Sequence, residues 1–120
     1  MLQLTPHHKI FIAVQPIDFR KGIDSIAALC RQQFQLDPAS GHLFIFRNRN
    51  AHAIKILTYD QQGYWLCLKR LSQGRFHYWP KKNQAVLSLS ASQLQILLGN
   101  GDPNAPLIPH PQSTELGSDR

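Results

Sequence analysis

Between His42 and Leu71, three runs of β-branched and aromatic residues are separated by short clusters of turn formers. That spacing constrains the fold more than any other feature of the chain. The runs are His42–Arg47, Ala53–Tyr59 and Tyr64–Leu71, joined by Asn48-Arg49-Asn50 and Asp60-Gln61-Gln62-Gly63. Connections this short join antiparallel neighbours. Asn in the first connector tolerates left-handed backbone angles. Upstream, Lys9–Val14 reads as a strand that ends before Pro16. Ile23, Ile26, Ala27, Cys30 and Phe34 recur at helical spacing, which predicts a helix over 22–35 stopped by Asp37-Pro38. Downstream, Ser72-Gln73-Gly74 predicts a turn into a strand Arg75–Trp79 ended by Pro80, and Val86–Leu89 reads as another short strand. Ser90-Ala91-Ser92-Gln93 is a capping-box pattern. It opens a short helix through Leu94, Ile96, Leu97 and Leu98, with Gly99 as its C-terminal cap.

The expected class is α+β: an antiparallel meander sheet of about five strands with two helices packed on it. Residues 1–102 form a single domain in this reading. Pro103, Pro106, Pro109 and Pro111 interrupt any regular structure, so 103–120 is expected to be a disordered tail.

If the connectors are 48–51 and 60–63, Ile45 pairs with Ile54 and Leu57 with Leu66. One face then carries Leu43, Ile45, Ile54, Ile56, Thr58, Trp65, Cys67 and Lys69, a core face with a basic edge. The other carries Phe44, Phe46, Lys55, Leu57, Tyr59, Tyr64, Leu66, Leu68 and Arg70. Two readings of this second face stand side by side. Its aromatics can stack bases while its cations hold phosphates, or a helix covers it and Lys55 and Arg70 snorkel to the rim.

Charge narrows the function. The chain holds 13 Lys+Arg against 7 Asp+Glu, a net +6. All the cations but Arg120 precede residue 101, whereas Asp102, Glu115 and Asp119 follow it, so the body is more basic than the whole. A basic surface points to polyanions, nucleic acid first. The longest apolar run, Ile10–Val14, falls far short of the ~20 residues of a membrane span. The N-terminus lacks a signal-peptide pattern, and two cysteines make no disulfide framework. The expectation is a protein of the reducing cytoplasm, with no membrane partner and no small-molecule substrate.

Arg47, Arg49, Lys55, Lys69, Arg70, Arg75, Lys81 and Lys82 lie between His42 and Lys82 against the single acid Asp60. Alternate turns of a meander lie at one end of the sheet. Arg47 and Arg49 are thereby expected to gather with Lys69, Arg70 and Arg75, a grouping suited to a phosphate backbone. Arg20-Lys21 before the first helix adds to it. Catalysis has less support. Asp18 and Asp24 sit around a helix start and Asp37 and Asp60 in turns, the ordinary places for such residues. His42, Asn50 and His52 faintly suggest a His-Asn-His nuclease, but the metal-binding helix that should follow is missing. Cys30 lies on the apolar stripe of a helix and reads as core. No glycine-rich phosphate loop or metal-ligand spacing is present, so no cofactor or metal is expected.

A longer pattern runs through the chain. Pro16-Ile17-Asp18-Phe19-Arg20-Lys21-Gly22-Ile23-Asp24 is followed by Asp37-Pro38-Ala39-Ser40-Gly41-His42-Leu43-Phe44-Ile45-Phe46-Arg47-Asn48-Arg49. Lys55-Ile56-Leu57, Gly63-Tyr64-Trp65-Leu66, Lys69-Arg70-Leu71, Gly74-Arg75-Phe76 and Trp79-Pro80 complete it. Over residues 5–100 this resembles the TnpB-type accessory protein, from the second open reading frame, of the insertion-sequence family numbered sixty-six. The chain departs at Tyr59, where the family often has Trp, and at Ala51-His52, which replaces a more charged pair. The stretch Gly74–Pro80 is one residue longer than usual. The resemblance implies a bacterial mobile-element protein that acts in transposition beside a larger transposase, and it carries no catalytic residues over. Combined with the charge, it gives a non-catalytic accessory protein that binds element DNA, at the ends of the element. The candidate contacts are Arg20, Lys21, Arg47, Arg49, Lys55, Lys69, Arg70 and Arg75. The alternative is a subunit that docks onto the transposase, through the aromatic face or the second helix, without touching DNA.

Overall fold

The computed structural model describes residues 8–104. Strand β1 (Ile10–Ala13) leads into helix α1 (Ile23–Gln33), then β2 (Leu43–Arg47), β3 (Ala53–Tyr59), β4 (Tyr64–Arg70), β5 (Val86–Leu89) and helix α2 (Ala91–Leu98). The class is α+β, as the sequence implies, but the sheet is mixed rather than a meander: its order is β4-β3-β2-β1-β5, with β1 parallel to β2. The cause is α1. A helical crossover returns the chain to the start of the sheet, so the next strand runs the same way as the last. Only β2-β3-β4 is a meander. The chain then crosses from the β4 edge to the far edge, where β5 pairs antiparallel with β1 from Ile10↔Leu89 to Ala13↔Val86.

The β3–β4 register includes Leu57↔Leu66, as expected from a four-residue turn. The β2–β3 register differs: Ile45 pairs with Ile56, not Ile54, because the connection is longer than four residues. Within it the left-handed residue is Ala51 (φ 58°) rather than an Asn. A slip of two residues leaves every side chain on its own face, so the expected faces survive.

Ile10, Ile12, Leu43, Ile45, Ile54 and Ile56 pack on one side against Leu94 and Leu97 of α2, together with Phe76 and Trp79. On the other side Phe44, Phe46 and Leu57 pack against Ile26, Ala27 and Cys30 of α1. The Phe44, Phe46 and Leu57 part of the aromatic face is therefore covered, which overturns the base-stacking reading there, while Leu68 at the β4 rim stays exposed. Phe34 stacks on Phe46 at 6.1 Å between ring centroids, closing that layer.

Residues Arg75–Trp79 are not a strand. Strand periodicity would put Phe76 and Tyr78 on one face, yet Phe76 and Trp79 are buried and Tyr78 is exposed. This segment is a strap laid over the α2 side of the sheet. The Trp79 indole donates to the Ala13 carbonyl at 2.8 Å, and Pro80 is buried behind it.

Helix α2 opens on the expected capping box, with the Ser90 hydroxyl accepting from the Gln93 amide and the Gln93 side chain accepting from the Ser90 amide. At its end Gly99 is the cap, but the left-handed residue is Asn100 (φ 63°). The amide of Asn100 donates to Leu97 and that of Gly101 to Ile96, the paired bonds of a Schellman ending. Pro103 is buried and its carbonyl accepts from Gln93 Nε2 at 3.3 Å. The rest of the expected tail, 105–120, lies outside the described residues.

Candidate nucleic-acid interface

Strand directions decide which connections meet. β1 and β2 end, and β3 and β5 begin, at the same edge of the sheet, and β4 ends there with Arg70 opposite Ala53. Three connections therefore emerge together: the segment after β1, the β2–β3 turn and the strap. Backbone hydrogen bonds bind them to one another. Ile17 donates to the Arg47 carbonyl at 3.0 Å, Leu71 to His52 at 2.9 Å and Phe76 to Ala51 at 2.7 Å. All the candidate cations belong to this end of the molecule or to the strands that lead into it. The expected gathering of Arg47 and Arg49 with Lys69, Arg70 and Arg75 is thus present.

The cations differ in what already holds them. Arg47 is half-buried, with its guanidinium 5.9 Å from the centre of the Trp79 ring. It donates to the Asn48 and Arg49 carbonyls at 3.5 and 3.4 Å, and its Nε is buried with no partner among the described residues. Burial lowers its pKa, since the charged form has given up water. Lys55 lies on the α1 side, where Nζ donates to the Phe19 carbonyl at 2.8 Å and the Lys21 carbonyl at 3.2 Å and sits 4.9 Å from the Phe19 ring centre. Lys69 reaches across to the Leu98 carbonyl at the end of α2. Arg20 grips Asp18, with N–O distances of 2.7 Å at the terminal nitrogen and 3.0 Å at Nε. Those hydrogen bonds hold the Asp18 carboxyl down at about 2 and raise Arg20. Asp18 therefore shapes the turn before α1 rather than capping the helix, whose N-cap is Gly22.

Lys21, Arg49, Arg70 and Arg75 are exposed, and their side chains make no hydrogen bond or ion pair with another described residue. Lys81 and Lys82 share that state. Both belong to the basic stretch but were not among the candidates, and the signal that marks them is longer than any motif. From Gln61 to Gly101 the chain contains no Asp or Glu.

Between the segment after β1 and the β2–β3 turn lies an open cleft of about 620 Å³, walled by Arg20 and Asp18 on one side and Asn48, Arg49, Asn50 and His52 on the other. Its floor is rigid. Asn48 Oδ1 accepts from the amides of His52 and Ala53 at 3.1 and 3.3 Å, which fixes the side-chain amide. Its Nδ2 then donates to His52 Nδ1 at 2.9 Å, leaving the imidazole proton on Nε2. The wall of Asn48, Arg49, Asn50 and His52 presents donors, while the opposite wall carries the Asp18 carboxylate already paired with Arg20.

The remaining chemistry-bearing residues do not converge. His42 lies at the opposite end of β2 from Asn50 and His52, so the His-Asn-His pattern is not assembled. Burial pushes the Cys30 thiol up to about 12, the behaviour of a core cysteine. Among the described residues no group of three His, Cys, Asp or Glu is placed to hold a metal ion. Among the same residues no helix is long and apolar enough to cross a membrane.

A family model described as IS66 Orf2 like protein matches residues 8–106. Two proteins of Sinorhizobium fredii are similar. One, called uncharacterized protein y4hO, is 35% identical over 114 residues, covering 95% of this chain and 94% of its own. The other, uncharacterized protein y4jC, is 32% identical over 94 residues, covering 78% of this chain and 80% of its own. No solved structure matches.

Proposed function

Because the chain belongs to the IS66 Orf2-like family of insertion sequences, we propose that it is a non-catalytic accessory protein of bacterial DNA transposition that holds element DNA at its basic end. The family carries the transposition-associated accessory role. The DNA contact rests on one observation: Lys21, Arg49, Arg70 and Arg75 lie at the end where three connections meet, exposed and, among the described residues, without a hydrogen-bond or ion-pair partner for their side chains. An Arg fork left without a carboxylate is suited to phosphate oxygens. Arg20, Arg47, Lys55 and Lys69 have a different part in this reading. They fix the segments that present the free cations and add to the positive field around them.

The test is fluorescence anisotropy with a labelled element-end duplex and a scrambled duplex across a salt series. Tight binding that weakens steeply with salt is expected, and replacing Arg49, Arg70 and Arg75 by Ala should lower the salt slope by about 1 for each residue. Unchanged affinity in that variant would remove the assignment. Preference for the element end would add site recognition to simple holding.

A second reading, a subunit that docks onto the transposase, is favoured by β4. It is an edge strand, and Trp65 and Leu68 on it are 49% and 59% exposed. Strand addition to that edge would need no DNA and would not depend on salt. The Phe44, Phe46 and Leu57 part of the aromatic face does not serve this reading, since α1 covers it and leaves Leu68 at the open β4 rim, and α2 turns Leu94 and Leu97 inward.

A further inference from the structure

The strap carries Tyr78, Lys81 and Lys82, which the basic-end reading leaves unused, beside Arg75, which the two readings share. It is an extended segment outside any helix or strand, in a place where the fold needs only a crossing from one sheet edge to the other. Long irregular connections of this kind in compact domains are commonly functional. This one is held at both ends and in the middle. Phe76 and Trp79 are buried in the core. The Phe76 amide donates to Ala51 at 2.7 Å, and the Trp79 indole to Ala13 at 2.8 Å. The side chain of Asn100 clamps it from the far side, donating to the Arg75 carbonyl at 3.0 Å and accepting from the His77 amide at 3.1 Å.

What this fixed backbone displays is specific. Tyr78 is 47% exposed between two buried anchors, and its hydroxyl makes no hydrogen bond with another described residue. The His77 ring stands edge-on to it at 6.4 Å. Arg75 precedes it by three residues and Lys81 follows by three, a reach of at most ~10 Å of extended chain in each direction. Lys82 comes next, and the acid-free stretch from Gln61 to Gly101 surrounds them all. Trp65 is the instructive contrast. It is exposed to a similar degree, but its indole donates to Asp60 at 2.7 Å, so a carboxylate stands beside its ring and would repel a phosphate.

We propose that the strap binds an unpaired nucleotide of single-stranded DNA, with Tyr78 stacking on the base and Arg75, Lys81 and Lys82 holding the flanking phosphates. An exposed ring with cations to either side on a preorganised backbone is the combination that single-strand binders use. The proposal rests on the reading that the neighbouring end holds duplex DNA. Together the two sites describe a protein suited to DNA that passes from paired to unpaired strands.

The experiment compares the full chain's affinity for three labelled probes: a blunt duplex, the same duplex with a short 3′ or 5′ thymidine overhang, and a free thymidine oligonucleotide. The overhang duplex should bind about tenfold more tightly than the blunt one. Tyr78→Ala should erase that difference and leave the blunt duplex unaffected, while Tyr78→Phe keeps it. Asn100→Gly tests the clamp separately, since glycine suits the left-handed position and preserves the helix ending. It should reduce overhang binding by a larger factor than blunt-duplex binding, which shares only Arg75 with the strap; an equal loss on both probes would overturn the clamp's part in the strap site. Equal binding of blunt and overhang probes would overturn the strap site and leave the duplex reading intact. Binding of the free oligonucleotide through Tyr78 with no binding of the blunt duplex would support the strap and overturn the duplex reading. Failure of all three probes at low salt would overturn both and give the strap to a protein partner.

Discussion

The two ends of the sheet are built from similar materials and treat their polar groups in opposite ways. At the end of the β3–β4 turn, Asp60 accepts from the Gln62 and Gly63 amides at 3.0 and 3.1 Å and from the Trp65 indole at 2.7 Å. Nearby, buried Thr58 donates to the His42 carbonyl at 3.2 Å. The fold has already engaged these groups. At the basic end the fold draws on Arg20, Arg47, Lys55 and Lys69 to hold its connections and then leaves the side chains of Lys21, Arg49, Arg70, Arg75, Lys81 and Lys82 without hydrogen-bond or ion-pair partners among the described residues. Surplus like charge at one end works against folding, if only weakly when exposed and screened. Its concentration beside a strap held by buried aromatics is the feature on which the proposed DNA contact rests.

The largest expected difference between the ends is in their tryptophans. Trp79 is 7% exposed, and Trp79→Ala would remove a core ring, the hydrogen bond to Ala13 and the surface under Arg47. It should cost about 3–5 kcal/mol in chemical denaturation. Trp65→Ala at the other end removes a half-exposed ring and should cost about 1 kcal/mol. Similar losses at the two positions would mean that the strap is not anchored as described.

The next contrast is within the basic end. Arg47→Met and Arg49→Met remove the same charge and keep a similar stem. Arg49 is free, so its loss should lower the salt slope of duplex binding by about 1. Arg47 is turned onto Trp79 and the turn carbonyls, so its loss should leave the slope nearly unchanged. Its stability cost should stay below about 1 kcal/mol, because a half-desolvated guanidinium with no carboxylate gives little net stabilisation. Equal slopes in the two variants would erase the distinction between engaged and free cations.

These distinctions show how far the sequence reaches. The β3–β4 hairpin was legible because its turn and both alternating strands are local. The sheet faces were legible even though the β2–β3 register slipped, because a slip of two keeps the parity of every residue. The mixed sheet was not legible, since the partner of β1 is chosen by where α1 returns the chain and nothing near Ile10 encodes it. The strap was misread as a strand because Phe76 and Trp79 reach the same core through an irregular backbone, and no period describes that. The grouping of cations followed from turn order alone. Which of them are free did not, because the acceptors for Lys55 and Lys69 are carbonyls of Phe19, Lys21 and Leu98, contributed by distant segments. Asn100 shows the same limit: Gly99 satisfied the helix-ending rule, while the residue that takes the left-handed angle is one whose side chain holds the distant strap, a contact no local rule encodes.

Each end also has a non-glycine residue in the left-handed region, Ala51 (φ 58°) at the basic end and Gln61 (φ 81°) at the other. That conformation costs an L-residue about 1–2 kcal/mol, part of which glycine returns through its freer unfolded chain. Gln61 is exposed, so Gln61→Gly should stabilise by about 0.5 kcal/mol. Ala51 is buried, and Ala51→Gly also loses a packed methyl worth about 0.8 kcal/mol, so it should be neutral or slightly destabilising. Denaturation midpoints of the two variants decide the matter, and a gain at Ala51 would mean that its methyl is not part of the seat under the strap.

The smallest expected effects are in the acid range, and they separate the two ends by mechanism. Asp18 is held from 3.8 down to about 2 chiefly by hydrogen bonds from Arg20, with the charges of Arg20 and Lys21 adding to them. Asp60 is lowered by the Trp65 indole and then by the backbone amides of Gln62 and Gly63, donors that carry no charge. A carboxyl whose folded pKa lies below its unfolded value stabilises the fold at neutral pH, and that stabilisation is lost as pH falls through the folded pKa. For Asp18 the loss runs from about pH 3.8 to about 2. Salt should distinguish the two sites, because charge–charge attraction at an exposed site is screened over a few ångströms at about 1 M and hydrogen bonds from neutral donors are not. In an NMR titration of the side-chain carboxyl carbons, the Asp18 midpoint should rise in high salt and rise further in Arg20→Gln. The Asp60 midpoint should stay where it is in high salt and rise in Trp65→Phe. If Asp60 followed salt as Asp18 does, both ends would be governed by the same electrostatics, and the self-contained character of the β3–β4 end would be wrong.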